Sequence, residues 1–217
     1  MRYSIIPHES VTGIVVNYCT PNETHKAVTT LKKAYPLMKI IIVDGSPHMS
    51  PGYFMCNHLA NQMHNNIHIH VGKNIGHGPG LRKGMDIVQT DLALIFDSDI
   101  HVNRSPVEKM IELMNEREEA YGVGQVITTN NSGINAASGI KYLHPHFALL
   151  DRKQYYKFRP FANHGAPMIA AMNDVHATGL DLIIDFPVRE YVFHIEKVTR
   201  RLKPKEFNAR NWDKKVH

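Results

Sequence analysis

Two carboxylates one residue apart, Asp97 and Asp99 in the run Phe96-Asp97-Ser98-Asp99, follow directly on the apolar stretch Leu92 to Phe96. Hard divalent cations prefer carboxylate oxygens and use them to bridge diphosphates. A cation-bound diphosphate leaves more readily, because the ion offsets the charge that grows as its bond breaks. An isolated Asp-Ser-Asp is more often a solvated loop. At the end of a buried strand, however, the pair stands where α/β sheets bind ligands, beyond the carboxyl ends of the strands. A second stretch, Lys73-Asn74-Ile75-Gly76-His77-Gly78-Pro79-Gly80-Leu81-Arg82-Lys83-Gly84, combines glycines that permit close backbone approach with Arg82 and Lys83 near a helix start, where phosphate can be met. It is neither GxGxxG after a first strand nor the GxxxxGK[ST] phosphate loop, and by itself it reads equally as a flexible loop. Asp44, closing a run of β-branched residues, could accept hydrogen bonds from a nucleoside; alone, it reads as a turn former.

These residues need elements to place them, and the hydrophobic pattern supplies a series. Thr12 to Tyr18, Lys39 to Asp44, the shorter Ile67 to Val71, Leu92 to Phe96 and Tyr121 to Thr129 read as strands. Between them lie helical patterns at His25 to Ala34, at about Leu81 to Gln89, and from the Ser105-Pro106 cap to about Ala120. Beyond a polar loop at Asn130 to Gly139 the pattern gives a strand at Lys141 to Leu150 and a helix at Pro167 to Ala177. Short strands follow at Leu182 to Phe186 and Tyr191 to Ile195. Strands alternating with helices imply an α/β fold with a mainly parallel sheet.

In order and spacing these features resemble the nucleotide-sugar half of a GT-A glycosyltransferase of the broad family-2 type. The matching pieces are a first strand with Asn17-Tyr18, Cys19 and Thr20, a second ending in Val43-Asp44-Gly45-Ser46-Pro47, the glycine loop, and the strand ending in Asp97-Ser98-Asp99. The resemblance is firm over residues 11–103 and looser through His146 to Tyr156 and on to His194. It implies a single Rossmann-like GT-A domain over residues 1–217, with flanking helices, a nucleotide-sugar half at 11–103, an acceptor half at 104–196 and a basic tail at 197–217. It further implies that Asp44 contacts the nucleobase and that Asn74, Gly76 and Arg82 help hold the nucleoside diphosphate. Asp97 and Asp99 would face ribose and a divalent cation (Mn or Mg), with Asp99 the more direct ligand. His194 would be a third metal ligand or a diphosphate contact, and Lys197 or Arg200 would neutralise the leaving group. The chain departs from the family where many inverting members carry an acidic pair at the start of the late helix. Here Asn163 to Ala170 holds no carboxylate, so His164 is the candidate base, with Asp174 and Asp151 the weaker ones.

Composition narrows the partners. The 217 residues are 43% hydrophobic and 21% charged, the balance of a globular protein. The longest apolar runs have five residues, against about 20 for a spanning helix. The N-terminus lacks the apolar core of a signal peptide, and two cysteines supply neither a disulfide framework nor a four-cysteine zinc site. A cytoplasmic protein is the resulting expectation. The net charge of +5 is unevenly placed. From Lys197 to His217 eight basic residues face two acidic ones, a balance of +6, which leaves the first 196 residues at −1. Such a tail suits a polyanion. The compact size and basic end also resemble small phage-encoded transferases that decorate hydroxymethylated bases in DNA, and that resemblance leans the acceptor toward such a base; the alternative is a glycan or lipid-linked saccharide. A nucleotidyltransferase fits less well, since the turn after the first strand lacks the expected glycine-rich Arg/Lys loop. A non-enzymatic DNA-binding module would leave the Asp-Ser-Asp and glycine-loop set unexplained.

Overall fold

The computed structural model describes residues 2–63 and 65–195. In chain order the elements are α1 (Pro7–Ser10), β1 (Val11–Asn17), α2 (Pro21–Ala34), β2 (Lys39–Asp44), α3 (Pro51–Gln62), β3 (Asn66–His70), α4 (His77–Met85), β4 (Leu92–Phe96) and β5 (Ile100–Val102). They continue with α5 (Val107–Glu116), β6 (Gly122–Thr129), β7 (Ile140–Asp151), α6 (Arg152–Tyr155), α7 (Ile169–Ala177), β8 (Ile183–Asp185) and β9 (Val192–His194). A seven-stranded sheet runs β3-β2-β1-β4-β7-β6-β8, and β5 pairs with β9 in a separate ribbon. Strands β3, β2, β1 and β4 are parallel, β6 and β8 are parallel, and β7 runs antiparallel to both its neighbours.

Both faces of this sheet are covered, which is why its strands read as unbroken apolar runs rather than alternating ones. Val11, Val15, Ile40, Ile42, Leu94 and Phe96 face one core, with residues of α2, α3 and α5. Ile14, Ile41, Val43, Ala93 and Ile95 face the other, with residues of α4 and α7. The two-residue period of the strand separates the sets. The parallel order brings Asn17, Asp44 and Asp97 to one edge. Because β7 is antiparallel, its beginning arrives at that edge, and the Asp97 amide donates to the His146 carbonyl at 3.0 Å. Its end lies at the opposite edge, where Asp151 faces Leu92 across the ladder.

Asn17 ties the carboxyl edge together. Its amide nitrogen donates to Asp44 Oδ1 (2.8 Å), Ser46 Oγ (3.0 Å) and Cys56 Sγ (3.3 Å). Its oxygen accepts from Thr20 N, Thr20 Oγ1 and Thr24 Oγ1, joining the start of α2 to the end of β1. Asp44 also accepts from the Ser46 amide (2.9 Å) and lies 3.3 Å from His68 Nε2. Burial alone would raise the Asp44 pKa, but the hydrogen bonds from His68, Ser46 and Asn17 outweigh it and hold the carboxyl below its ordinary value. Asp44, Cys56 and His68 lie close enough to suggest a cation site. The Asn17 amide, however, already donates to two of the three. The cluster is a closed hydrogen-bond network.

Several elements differ from the sequence expectation. Helix α3 was not anticipated, although Ser50 accepts from the Tyr53 amide and Pro51 opens the helix, a start signal present in the sequence. Helix α4 begins at His77, not near Leu81. Its glycines serve contact: a Cβ on Gly78 would stand 2.6 Å from the Ala162 carbonyl carbon, and one on Gly80 would stand 2.8 Å from Val16 Cγ1. Helix α5 stops at Glu116, short of Ala120.

The Asp44 network yields a stability prediction. Asp44→Asn turns an acceptor into a donor against groups that already donate, and it should cost about 1–3 kcal/mol in urea unfolding at pH 7. Since the folded pKa lies below the unfolded one, this stability is present above about pH 4 and is lost as pH falls through the folded value. The difference between wild type and variant should therefore shrink in acid; equal urea midpoints at pH 7 would contradict the assignment.

Candidate active site

A cavity of about 770 Å³ opens at the carboxyl edge. On its floor Asp97 and Asp99 leave β4, and His194 comes in from β9. His194 Nε2 lies 3.1 Å from Asp99 Oδ1 and 3.5 Å from Asp97 Oδ2. One ligand atom from each of the three falls within 4.8 Å of the others, a spacing that suits a single cation. All three side chains are part-exposed, so an ion and its remaining waters can reach them. Two carboxylates with one imidazole form a donor set that manganese accepts readily, whereas magnesium prefers oxygen alone.

Other histidines surround this triad. His77, the first residue of α4, places Nε2 3.3 Å from Asp97 Oδ1, so Asp97 stands between two imidazoles. His144 and His146, two residues apart on β7, line the same cavity. Their Nδ1 atoms lie 2.6 Å apart. The His146 backbone N–H also donates to His144 Nδ1, at 3.3 Å. Burial, helped by the neighbouring His144, His194 and Arg189, pushes the His146 pKa down to about 2, and its ring is neutral.

The residues singled out in the sequence divide into two groups. Asp97, Asp99, His194, Asn74, Gly76 and His164 all line the cavity. Asn74 Oδ1 accepts the Gly76 amide and shapes the turn into α4, where Gly76 adopts a φ of 89°. Asp44 does not line it: the side chain is fully buried and its oxygens are held by Asn17, Ser46 and His68. Arg82 projects from an exposed position on α4 and is not part of the wall. Lys197 and Arg200 lie outside the described residues.

The three base candidates stand in different surroundings. Asp174 sits on α7 and is claimed by Arg159, whose guanidinium donates to its carboxylate at 2.7–2.9 Å. Asp151 is buried at the far edge of the sheet, accepting from Arg2, Tyr3 and the Gln154 amide. Neither lines the cavity. His164 does, but its Nδ1 accepts the His77 amide at 3.0 Å. The neutral ring therefore carries its proton on Nε2, a donor rather than the free acceptor a base requires. Among the described lining residues the carboxylates are Asp97 and Asp99.

Sequence reasoning missed His77, His144, His146 and Arg189, all on the cavity wall. The alternation His144-Pro145-His146 within a strand was a usable signal. Nothing local marked Arg189.

A mainly parallel sheet with one inserted antiparallel strand, and a carboxylate pair at the end of β4, defines the GT-A fold of glycosyltransferases. Residues 12–175 match Glycosyl transferase family 2, and the chain belongs to that family. Two solved structures resemble it in fold. The mannosyltransferase PcManGT from Pyrobaculum calidifontis, in complex with GDP-Man and Mn2+, superposes with a TM-score of 0.60 at 15% identity, over 88% of this chain and 61% of that one. S. aureus TarS 1-349 superposes with a TM-score of 0.60 at 12% identity, over 92% of this chain and 66% of that one. The chain thus spans somewhat less than two thirds of either protein's length. No curated protein matches it significantly.

The donor set makes a direct prediction. Isothermal titration should show one Mn2+ bound, weakened at least about tenfold by Asp99→Asn or His194→Ala and left unchanged by Asp174→Asn. Equal affinity across all four proteins would remove the cation from this site.

Proposed function

We propose that the protein is a metal-dependent glycosyltransferase that moves a sugar from a nucleoside-diphosphate sugar to an acceptor hydroxyl. The observation that carries this reading is the convergence of Asp97, Asp99 and His194 on the cavity floor of a family-2 chain. A structurally similar enzyme holds GDP-Man and Mn2+, which supports both the donor class and the ion. Bound by the triad, a divalent cation would offset the charge on the departing diphosphate.

The side chains then divide the work. Asn74 and Gly76 line the donor side, at the turn into α4. His164 lines the cavity with its Nδ1 accepting the His77 amide, and His77 Nε2 steadies Asp97 through Oδ1 while His194 faces Oδ2. Gln125 and Asn135 bring neutral amide groups to the β6–β7 side of the cavity. Arg189 is the one Lys or Arg among the described lining residues. A wall carrying amide groups and a single Arg suits the hydroxyls of a saccharide acceptor better than the phosphates of nucleic acid, whose binding rests on several cations. The DNA reading draws its support from the eight basic residues between Lys197 and His217.

Incubation with a panel of nucleotide sugars and Mn2+, followed by release of nucleoside diphosphate, tests the activity. One donor should turn over, chelator should stop it, and Asp99→Ala should lower the rate at least about 100-fold. Undiminished turnover by Asp99→Ala in chelator would overturn the proposal. Parallel acceptor arms with oligosaccharides and hydroxymethylated duplex DNA, at moderate salt, decide between the two acceptors.

A further inference from the structure

The two halves of the cation site come from different parts of the fold. Asp97 leaves β4, in the middle of the seven-stranded sheet, whereas His194 belongs to β9, which pairs only with β5. The main sheet therefore does not by its own ladder fix where His194 stands. The Ile195 amide donates to the Asp99 carbonyl at 2.9 Å, which anchors the end of β9 but leaves the rotation of the imidazole open.

His146 touches both halves. Its carbonyl accepts the Asp97 amide at 3.0 Å. Its ring lies nearly parallel to that of His194, at 12° and with centroids 5.1 Å apart. The ring is itself held in place: its Nδ1 lies 2.6 Å from His144 Nδ1, and the two rings meet edge to face at 4.6 Å. His144 is backed in turn by Tyr142, two residues earlier on β7, with ring centroids 6.4 Å apart. His146 is 2% exposed, so its orientation is set by these contacts and not by solvent.

We infer that His146 is a positioning residue for the cation site: its carbonyl places Asp97, and its flat ring sets the plane in which His194 presents Nε2 to Asp97 and Asp99. The inference rests on the reading of Asp97, Asp99 and His194 as the cation ligands. Groups that orient a metal ligand without touching the metal commonly change affinity 10–100-fold when removed. A substitution at position 146 leaves the backbone carbonyl in place, so side-chain variants isolate the ring.

The test uses the whole chain and Mn2+ alone, with free Mn2+ followed by electron paramagnetic resonance. His146→Phe keeps a flat ring and should bind Mn2+ within about threefold of wild type. His146→Leu fills a similar space without a ring plane and should weaken binding about 10–100-fold. In turnover that loss should appear as a higher Mn2+ requirement, with kcat recovered at saturating Mn2+. Equal affinity of the Leu and Phe variants, with far-UV circular dichroism showing both folded, would overturn the inference. If the Leu variant does not fold, His144→Ala decides: it releases the His146 ring and should weaken Mn2+ severalfold, and unchanged affinity would overturn the inference. A wild-type protein that binds no Mn2+ would instead bring down the cation reading itself, a result distinguishable from either.

Discussion

The hydrogen bond from the Asp97 amide to the His146 carbonyl is the contact on which the rest of the site depends. It extends the antiparallel pairing of β4 with β7 just past the last residue of β4, at the point where the chain turns from core to cavity. Without an antiparallel β7, the strand beside β4 would deliver its far end here. Asp151 and its partners would then replace His144 and His146. The reversal of one strand is thus what gives the carboxylate pair an imidazole wall.

The same edge is stabilised by Asn17 at the end of β1, whose single side chain satisfies groups on β2, α2 and α3. This explains why Asp44, set at the end of β2 as the family pattern suggests, is nonetheless withdrawn from the cavity. A buried carboxylate requires partners, and Asn17, Ser46 and His68 supply them internally. The glycines of α4 serve a related purpose. Gly78 and Gly80 let the helix start lie directly on the 162–163 backbone and on Val16, so the His77 amide can reach His164. Close backbone contact, rather than loop mobility, accounts for the glycine-rich run.

How much of this could be read from the sequence follows from where each element gets its stability. Strands β1, β2 and β4 were placed within about one residue, since burial on both faces leaves an unmistakable apolar run. Helix α3 was missed because its apolar residues do not mark one buried face: Cys56 and Leu59, with Gly52, form its buried set, while Phe54 is exposed. Strand β5, three residues long, exists only by pairing with β9 some ninety residues later, and no local pattern announces it. The site divides similarly. Asp97 and Asp99 were visible because spacing and strand end coincide, and His194 through family resemblance. The roles of His146 and His77 depend on contacts 48 and 20 residues distant in the chain, with His194 and Asp97. Asp174 and Asp151 looked available only because Arg159 and Arg2 could not be placed beside them beforehand.

The central claim is that one cation is held jointly by two carboxylates and the His194 imidazole. Pulsed electron paramagnetic resonance of the Mn2+-loaded protein reads this directly, because a coordinated imidazole imposes a nitrogen hyperfine coupling on the ion. The structure predicts that coupling in the wild type and its loss in His194→Gln. A Mn2+ spectrum without directly bound nitrogen, or one unchanged by His194→Gln, would contradict it.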